Sequence, residues 1–108
     1  MTDLIPEPVR AYLTAAEAGD PAAIAATFAE DATVTDEGQT HTGRPAIRAW
    51  REQVASAYTW TSEVTGVRRA GDTWVVSVRL EGDFPGHVAE LDQRFTVRDG
   101  MITGLHIG

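Results

Sequence analysis

The chemistry this chain can offer centres on one carboxylate. Asp36 closes the run Ala32-Thr-Val-Thr-Asp36, a β-forming stretch that predicts a short strand over Ala32–Asp36 with an acid at its end. A carboxylate among apolar walls is a stronger base than in water, because desolvation penalises its charged form. Such a group suits proton abstraction next to a carbonyl. The other role for a strand-end carboxylate is to cap backbone amides in the turn that follows. Tyr12 is a phenol that could stabilise the enolate formed by that abstraction, or a core residue whose hydroxyl is tied to a neighbour. His106, near the chain end, would make an acid–base pair if it stood beside Asp36. It could equally be an edge residue. His41, in Gln39-Thr-His-Thr-Gly43, is read as a mouth residue that touches ligand or as a solvated loop residue. His87, after Pro85-Gly86, is most simply a loop residue.

No two histidines have metal-ligand spacing and there is no cysteine, so no metal site, disulfide or cofactor is expected. Phe28, Trp50, Trp60 and Trp74 supply aromatic mass for a core or an apolar pocket wall, with Phe28 and Trp50 placed nearest Asp36. Arg94 beside Asp92, and Arg79 beside Glu81, are spaced too generically to distinguish a reactive cluster from a solvated face.

The elements that must position these residues divide into a helical first half and a strand-rich second half. Val9, Tyr12, Leu13 and Ala16 have the spacing of an amphipathic helix, predicted over Glu7–Ala18 and stopped by Gly19. Asp20-Pro21 starts a second helix, predicted over Pro21–Phe28. Gly43-Arg44-Pro45 opens a third, over Pro45–Ala57, with Ile47, Trp50, Val54 and Ala57 on one face. Trp60–Ala70 is read as a strand and Gly71-Asp72 as a hairpin turn. Trp74, Val76, Val78 and Leu80 alternate with Val75, Ser77, Arg79 and Glu81, the period of a half-buried strand. A loop over Gly82–Gly86, a strand over Ala89–Val97, a tight Asp99-Gly100 turn and a last strand over Met101–Ile107 complete the pattern. Helices followed by an antiparallel meander predict an α+β architecture in a single domain over residues 1–108.

The 108 residues carry a net charge of −7 with 43% hydrophobic residues, and all nine basic residues are arginine. The acidic balance argues against nucleic acid and anionic membrane as partners. No apolar run is long enough to span a bilayer, and Met1-Thr-Asp-Leu-Ile-Pro6 lacks the basic start and apolar core of a signal peptide. A cytoplasmic protein is expected.

Phe28-Ala-Glu-Asp-Ala-Thr-Val-Thr-Asp36 followed by Gly43-Arg-Pro-Ala-Ile-Arg-Ala-Trp50 resembles the signature of the SnoaL-like and ketosteroid isomerase-like branch of the NTF2-like superfamily. The resemblance covers nearly the whole chain. It implies a cone: three N-terminal helices packed in a curved, mixed, mostly antiparallel sheet around an apolar pocket. It implies Asp36 as the base and Tyr12 as an oxyanion donor. The second donor of the isomerase is a protonated aspartate on a late strand, for which Glu90 and Asp92 are the candidates. The supporting tyrosines of that enzyme correspond to Phe28 and Arg51. His106 would serve as the acid–base partner used by scytalone dehydratase-like members. The implied function is a cofactor-free isomerase, cyclase or dehydratase acting on a hydrophobic small molecule. The alternative is a non-catalytic ligand-binding or dimerisation module. Family members commonly dimerise through the outer sheet face, so a homodimer is expected, with Val75, Ser77 and Arg79 on that face.

Overall fold

The computed structural model describes residues 5–108, so part of the N-terminal stretch read for a signal peptide, residues 1–4, lies outside it. Three helices and six strands follow in order: α1 (Glu7–Ala18), α2 (Pro21–Ala26), β1 (Phe28–Asp36), β2 (Gln39–Thr42), α3 (Arg44–Ala57), β3 (Trp60–Ala70), β4 (Thr73–Gly82), β5 (Val88–Arg98) and β6 (Met101–Ile107). All six strands join one sheet in the order β2-β1-β6-β5-β4-β3. Every pairing is antiparallel except β1 with β6. The chain is thus α+β with a mixed sheet. No described helix is long and apolar enough to cross a membrane.

Local chemistry sets the ends of the helices. Gly19 takes the left-handed conformation (φ 69°) that closes α1 at the residue read as its stop. The Asp20 carboxylate accepts the Ala23 amide at 3.2 Å, and Pro21 fills the first turn of α2. That helix ends at Ala26, two residues short of the expected Phe28. Thr27 turns its hydroxyl back onto the Ile24 carbonyl at 2.7 Å, and its own carbonyl accepts the Ile102 amide of β6. Phe28 therefore begins β1, which is longer than the expected Ala32–Asp36. The segment read as a loop after Asp36 also differs. Glu37 (φ 54°) and Gly38 (φ 77°) form a two-residue hairpin, and Gln39–Thr42 returns along β1 as β2.

One apolar cluster joins Val9 and Tyr12 of α1, Ile24 of α2 and Ile47 and Trp50 of α3 to the sheet residues Phe28, Val34, Val76, Phe95 and Leu105. Its parity along β4 is the expected one, with Val76 and Val78 buried and Trp74 and Leu80 half-buried against the cluster. Val75 departs from the expectation. It points to the opposite face yet is only 3% exposed. It lies in register between Arg68 and Arg94, whose aliphatic stems cover apolar surface while their heads reach Asp92.

Candidate functional site

The helices pack over β1, β2, β5 and β6, and the sheet extends past them to β4 and β3. A cavity of about 490 Å³ opens under that overhang. Its walls are mostly apolar: Leu13, Val54, Val78, Leu80, Leu91 and Ile107. Its polar lining includes Tyr12 from α1, Asp36 from β1, Arg51 from α3 and Gln93 from β5, none of them exposed, together with the exposed Glu17, Glu37, Tyr58 and Ser62. A small number of convergent polar groups in an apolar recess is the usual composition of a small-molecule site.

Asp36 reaches the cavity because of register. It pairs with Ile107, two residues beyond the buried Val34–Leu105 pair, and so shares their face. Its Oδ2 accepts the Trp50 indole N–H at 3.1 Å. No other hydrogen bond to this carboxylate occurs among the described residues, so Oδ1 is unengaged. Trp50 is buried, and His41 of β2 stacks on it with ring centroids 5.8 Å apart. The carboxylate is thereby held by a side chain that is itself clamped.

Tyr12 stands edge-on to Phe28 at 5.8 Å and to Phe95 at 5.1 Å, and is 1% exposed. Its hydroxyl is buried without a partner, as is Gln93 Oε1. These are the two buried side-chain polar atoms without a hydrogen bond among the described residues, and both residues line the cavity. Buried polar groups are ordinarily satisfied, so two exceptions beside one cavity single it out among the described residues. Burial pushes the Tyr12 phenol above its ordinary pKa; the Arg51 charge opposes the shift and the Asp36 charge adds to it.

Arg51 is 9% exposed, the one charged residue in the buried set. Its guanidinium lies 5.3 Å from the Trp50 ring centre and 5.6 Å from that of Trp60. It also lines an adjoining groove of about 420 Å³ between the end of α1, the start of α2 and β3.

The expected site residues are thus divided. Asp36, Tyr12 and Trp50 meet at the cavity. Phe28 lies beneath it, fully buried in the core, and supports Tyr12 instead of forming wall. His41 acts behind Trp50. Three expectations are corrected. His106 pairs in register with Thr35 and Arg94, adjacent in sequence to the buried Leu105 and therefore on the other face, where it is exposed. Glu90 and Asp92 also point away, because they alternate with Leu91 and Gln93, which line the cavity. Asp92 instead accepts the Ser77 hydroxyl at 2.8 Å and lies 3.5 Å from Arg68 and 3.6 Å from Arg94. The Ser77 hydrogen bond, with help from the two arginines, holds its pKa below the ordinary carboxylate value. The late-strand polar residue that does face the cavity is Gln93, and the residue at the isomerase's second supporting-tyrosine position, Arg51, is a cation in the wall. Neither was assigned a role from sequence.

Comparison with known proteins places this arrangement. The SnoaL-like domain family matches residues 9–105. A crystal structure from Sinorhizobium meliloti, assigned provisionally as a polyketide cyclase, superposes with a TM-score of 0.93 at 34% identity, covering 100% of this chain and 99% of that one. A Catenulispora acidiphila protein with a ketosteroid isomerase-like fold, solved with trimethylamine, gives a TM-score of 0.84 at 26% identity, over 95% of this chain and 85% of that one. The epoxide hydrolase/cyclase-like enzyme SalBIII, which takes part in pyran ring formation in the polyether salinomycin, shares the fold at 24% identity and a TM-score of 0.79, over 94% of this chain and 86% of that one. No curated protein matches significantly.

Proposed function

This chain belongs to the SnoaL-like domain family of the NTF2-like superfamily, and from that premise we propose that it is an enzyme of the isomerase, cyclase or dehydratase kind that moves a proton next to a carbonyl of a hydrophobic small molecule. The cone of that superfamily, with its helices in the concave face of the sheet, accounts for the cavity under the β3–β4 overhang. One observation carries the proposal. A carboxylate with one unengaged oxygen and a phenol with a buried, unpartnered hydroxyl belong to residues that line the same apolar cavity.

The chemistry follows from those two groups. Asp36 Oδ1 takes the proton from the carbon next to the carbonyl, and the electron pair passes to the carbonyl oxygen. The neutral Tyr12 hydroxyl donates to the resulting enolate, and its upward pKa shift keeps the proton on the phenol. The protonated Asp36 then returns its proton at another carbon for an isomerisation; for a cyclisation the enolate carbon attacks an internal carbonyl carbon, the C=O π pair moves to that oxygen, and the alkoxide takes the proton back from Asp36. Trp50 is a positioning residue, since its N–H fixes which carboxylate oxygen is engaged.

The test needs no knowledge of the natural substrate. Hydrogen–deuterium exchange at the activated carbon of cyclic hydrophobic ketones and 1,3-diketones is followed by NMR. Asp36→Asn should lower the enzyme-dependent exchange by about 100- to 10,000-fold while leaving the fold intact. A loss below about tenfold assigns Asp36 to structure.

The second reading, a ligand-binding or dimerisation module, is favoured by the Trp50–Asp36 bond, which by itself ties α3 to β1. It predicts ligand binding without exchange. In either case we propose that the outer sheet face, with Ser77 and Arg79, takes a second copy of the chain. A monomer by light scattering across micromolar concentrations would remove that proposal.

A further inference from the structure

The Arg51 guanidinium is the unexplained group of this cavity. The residue is 9% exposed, and its guanidinium lies in the cation–π range of two tryptophans, with no carboxylate within salt-bridge distance and no hydrogen-bond acceptor among the described residues. Its nitrogens are not among the buried unpartnered atoms, so they reach the open space of the recesses that Arg51 lines. Holding an arginine this deep without a counter-charge is costly, and its five fixed donors have no protein acceptor. Cation–π contact with Trp50 and Trp60 offsets part of that cost and holds the head in place. The acids that share the cavity wall do not neutralise it. Asp36 does not come within ion-pair distance of it and directs one oxygen to Trp50, and Glu17 and Glu37 are exposed.

We propose that Arg51 is a specificity residue that recognises an oxyanion, a carboxylate or an ionised enol, on the ligand of this cavity. The proposal deepens the function given above and rests on the cavity being the ligand site. Charge distribution fixes the orientation. Arg51 is the one cation lining either the cavity or the adjoining groove, whereas Asp36 and Glu37 would repel an anion from the rest of the cavity; Glu17, which lines both recesses as Arg51 does, is exposed to solvent, where its charge is screened. The anionic group therefore sits at Arg51, at the neck between the two recesses. The apolar body extends along Val54, Val78 and Leu80 toward Asp36. The substrate class is an amphipathic organic acid whose reacting carbon lies some distance from its charge. A fork of donors held against two aromatic rings suits a planar, delocalised oxyanion better than a compact ammonium would, so lysine is not an equivalent.

The experiment uses 2-naphthoate and 2-naphthamide, which share shape and differ in charge, with affinities from calorimetry on the full chain. The wild-type protein should bind naphthoate about tenfold or more tighter than naphthamide. That preference should weaken as salt is raised. Arg51→Met, which keeps a long apolar stem between the tryptophans, should bring the two probes to equal affinity, with naphthamide unchanged. Arg51→Lys should retain part of the preference. Equal binding of both probes to the wild-type protein overturns the inference and leaves the Asp36 chemistry standing. So does a preference that survives in Arg51→Met. Should that variant misfold, the wild-type preference, its salt dependence and the lysine variant decide the matter. If neither probe binds, the cavity is not a ligand site of this kind and the inference falls. The deuterium-exchange experiment then reports separately on Asp36.

Discussion

The sheet has two unlike halves. Under the helices, β1, β6 and β5 present Val34, Leu105, Ile102 and Phe95, none more than 3% exposed. Beyond them, β3 is exposed along nearly its whole length, and Val64, which lines the cavity, is 43% exposed. One half is filled by helix side chains and the other is left hollow. The proposed reacting groups come from the filled half: Asp36 on β1, and Tyr12 wedged between Phe28 and Phe95. The hollow half contributes the sparsely packed part of the cavity's apolar wall, through Leu80, Val64 and Trp60. Solid support behind the reacting groups keeps them in place, while the sparsely packed wall is free to adapt to what enters.

The largest test of this division is a pair of truncations. Phe95→Ala removes a fully buried ring from the filled half and should cost about 3–5 kcal/mol. Leu80→Ala, on a wall that already borders empty space, should cost about 1 kcal/mol, because little new cavity is made. Urea midpoints at unchanged slope measure both. Equal losses would mean that the overhang is as well packed as the rest.

Much of the filled half was legible in the sequence, because parity and helical spacing report burial directly. The inward face of α1 follows from apolar spacing and its end from Gly19, and the resemblance placed Asp36 at a strand end; beyond the helices, alternation still gave the inward set of β4. The hairpin over Glu37-Gly38 was missed because a glutamate takes the left-handed position that usually advertises itself as asparagine or aspartate. Phe28 was assigned to a helix end because the acidic Glu30-Asp31 that follows does not look like a strand. The site was harder, since its signals are polar residues in apolar registers. Gln93 shares parity with Leu91 and Phe95, and Arg51 falls on the stripe of Ile47 and Val54. Each was visible as an exception to a pattern, but whether an exception faces a cavity or water depends on which strands the helices reach. Glu90, Asp92 and His106 lie on the opposite parity; the resemblance and their side-chain chemistry had nominated them without regard to it.

A smaller effect is expected where the hollow half is pinned. Gly82 crosses β3 so closely that a Cβ there would lie 2.3 Å from the Thr59 carbonyl oxygen and 2.7 Å from Trp60 Cβ. The Asp83 carboxylate accepts the Thr59 amide at 2.8 Å beside this crossing. Gly82→Ala must push the start of β3 outward, at a cost of about 1–3 kcal/mol. Because Trp60 is in cation–π contact with Arg51, naphthoate affinity should fall with it. A variant as stable as wild type with unchanged affinity would show that the overhang is not fixed at this point.

The smallest effect has the opposite sign and lies on the boundary between the halves. Tyr12→Phe keeps both edge-on aromatic contacts and removes a buried hydroxyl that has no partner, so the variant should be as stable as wild type or more stable by about 1 kcal/mol. Catalysed exchange should nevertheless drop, since the enolate loses its donor. The pH dependence separates this hydroxyl from the rest. Folding raises its pKa above the ordinary 10.0. Below that value the phenol is protonated in both states, and the wild-type and variant stabilities should differ by a constant. Above it the unfolded chain releases the proton first and the folded chain retains it, so the unfolded state binds fewer protons and wild-type stability falls as pH rises. Tyr58 is present in both proteins and cancels. The stability difference, followed by urea unfolding from about pH 8 to about pH 11, should therefore move in favour of Tyr12→Phe only at the alkaline end. A difference that stays flat across the range would mean that the hydroxyl is solvated, and a variant markedly less stable at neutral pH would mean that it has a structural partner; either result takes the proposed oxyanion donor out of the site.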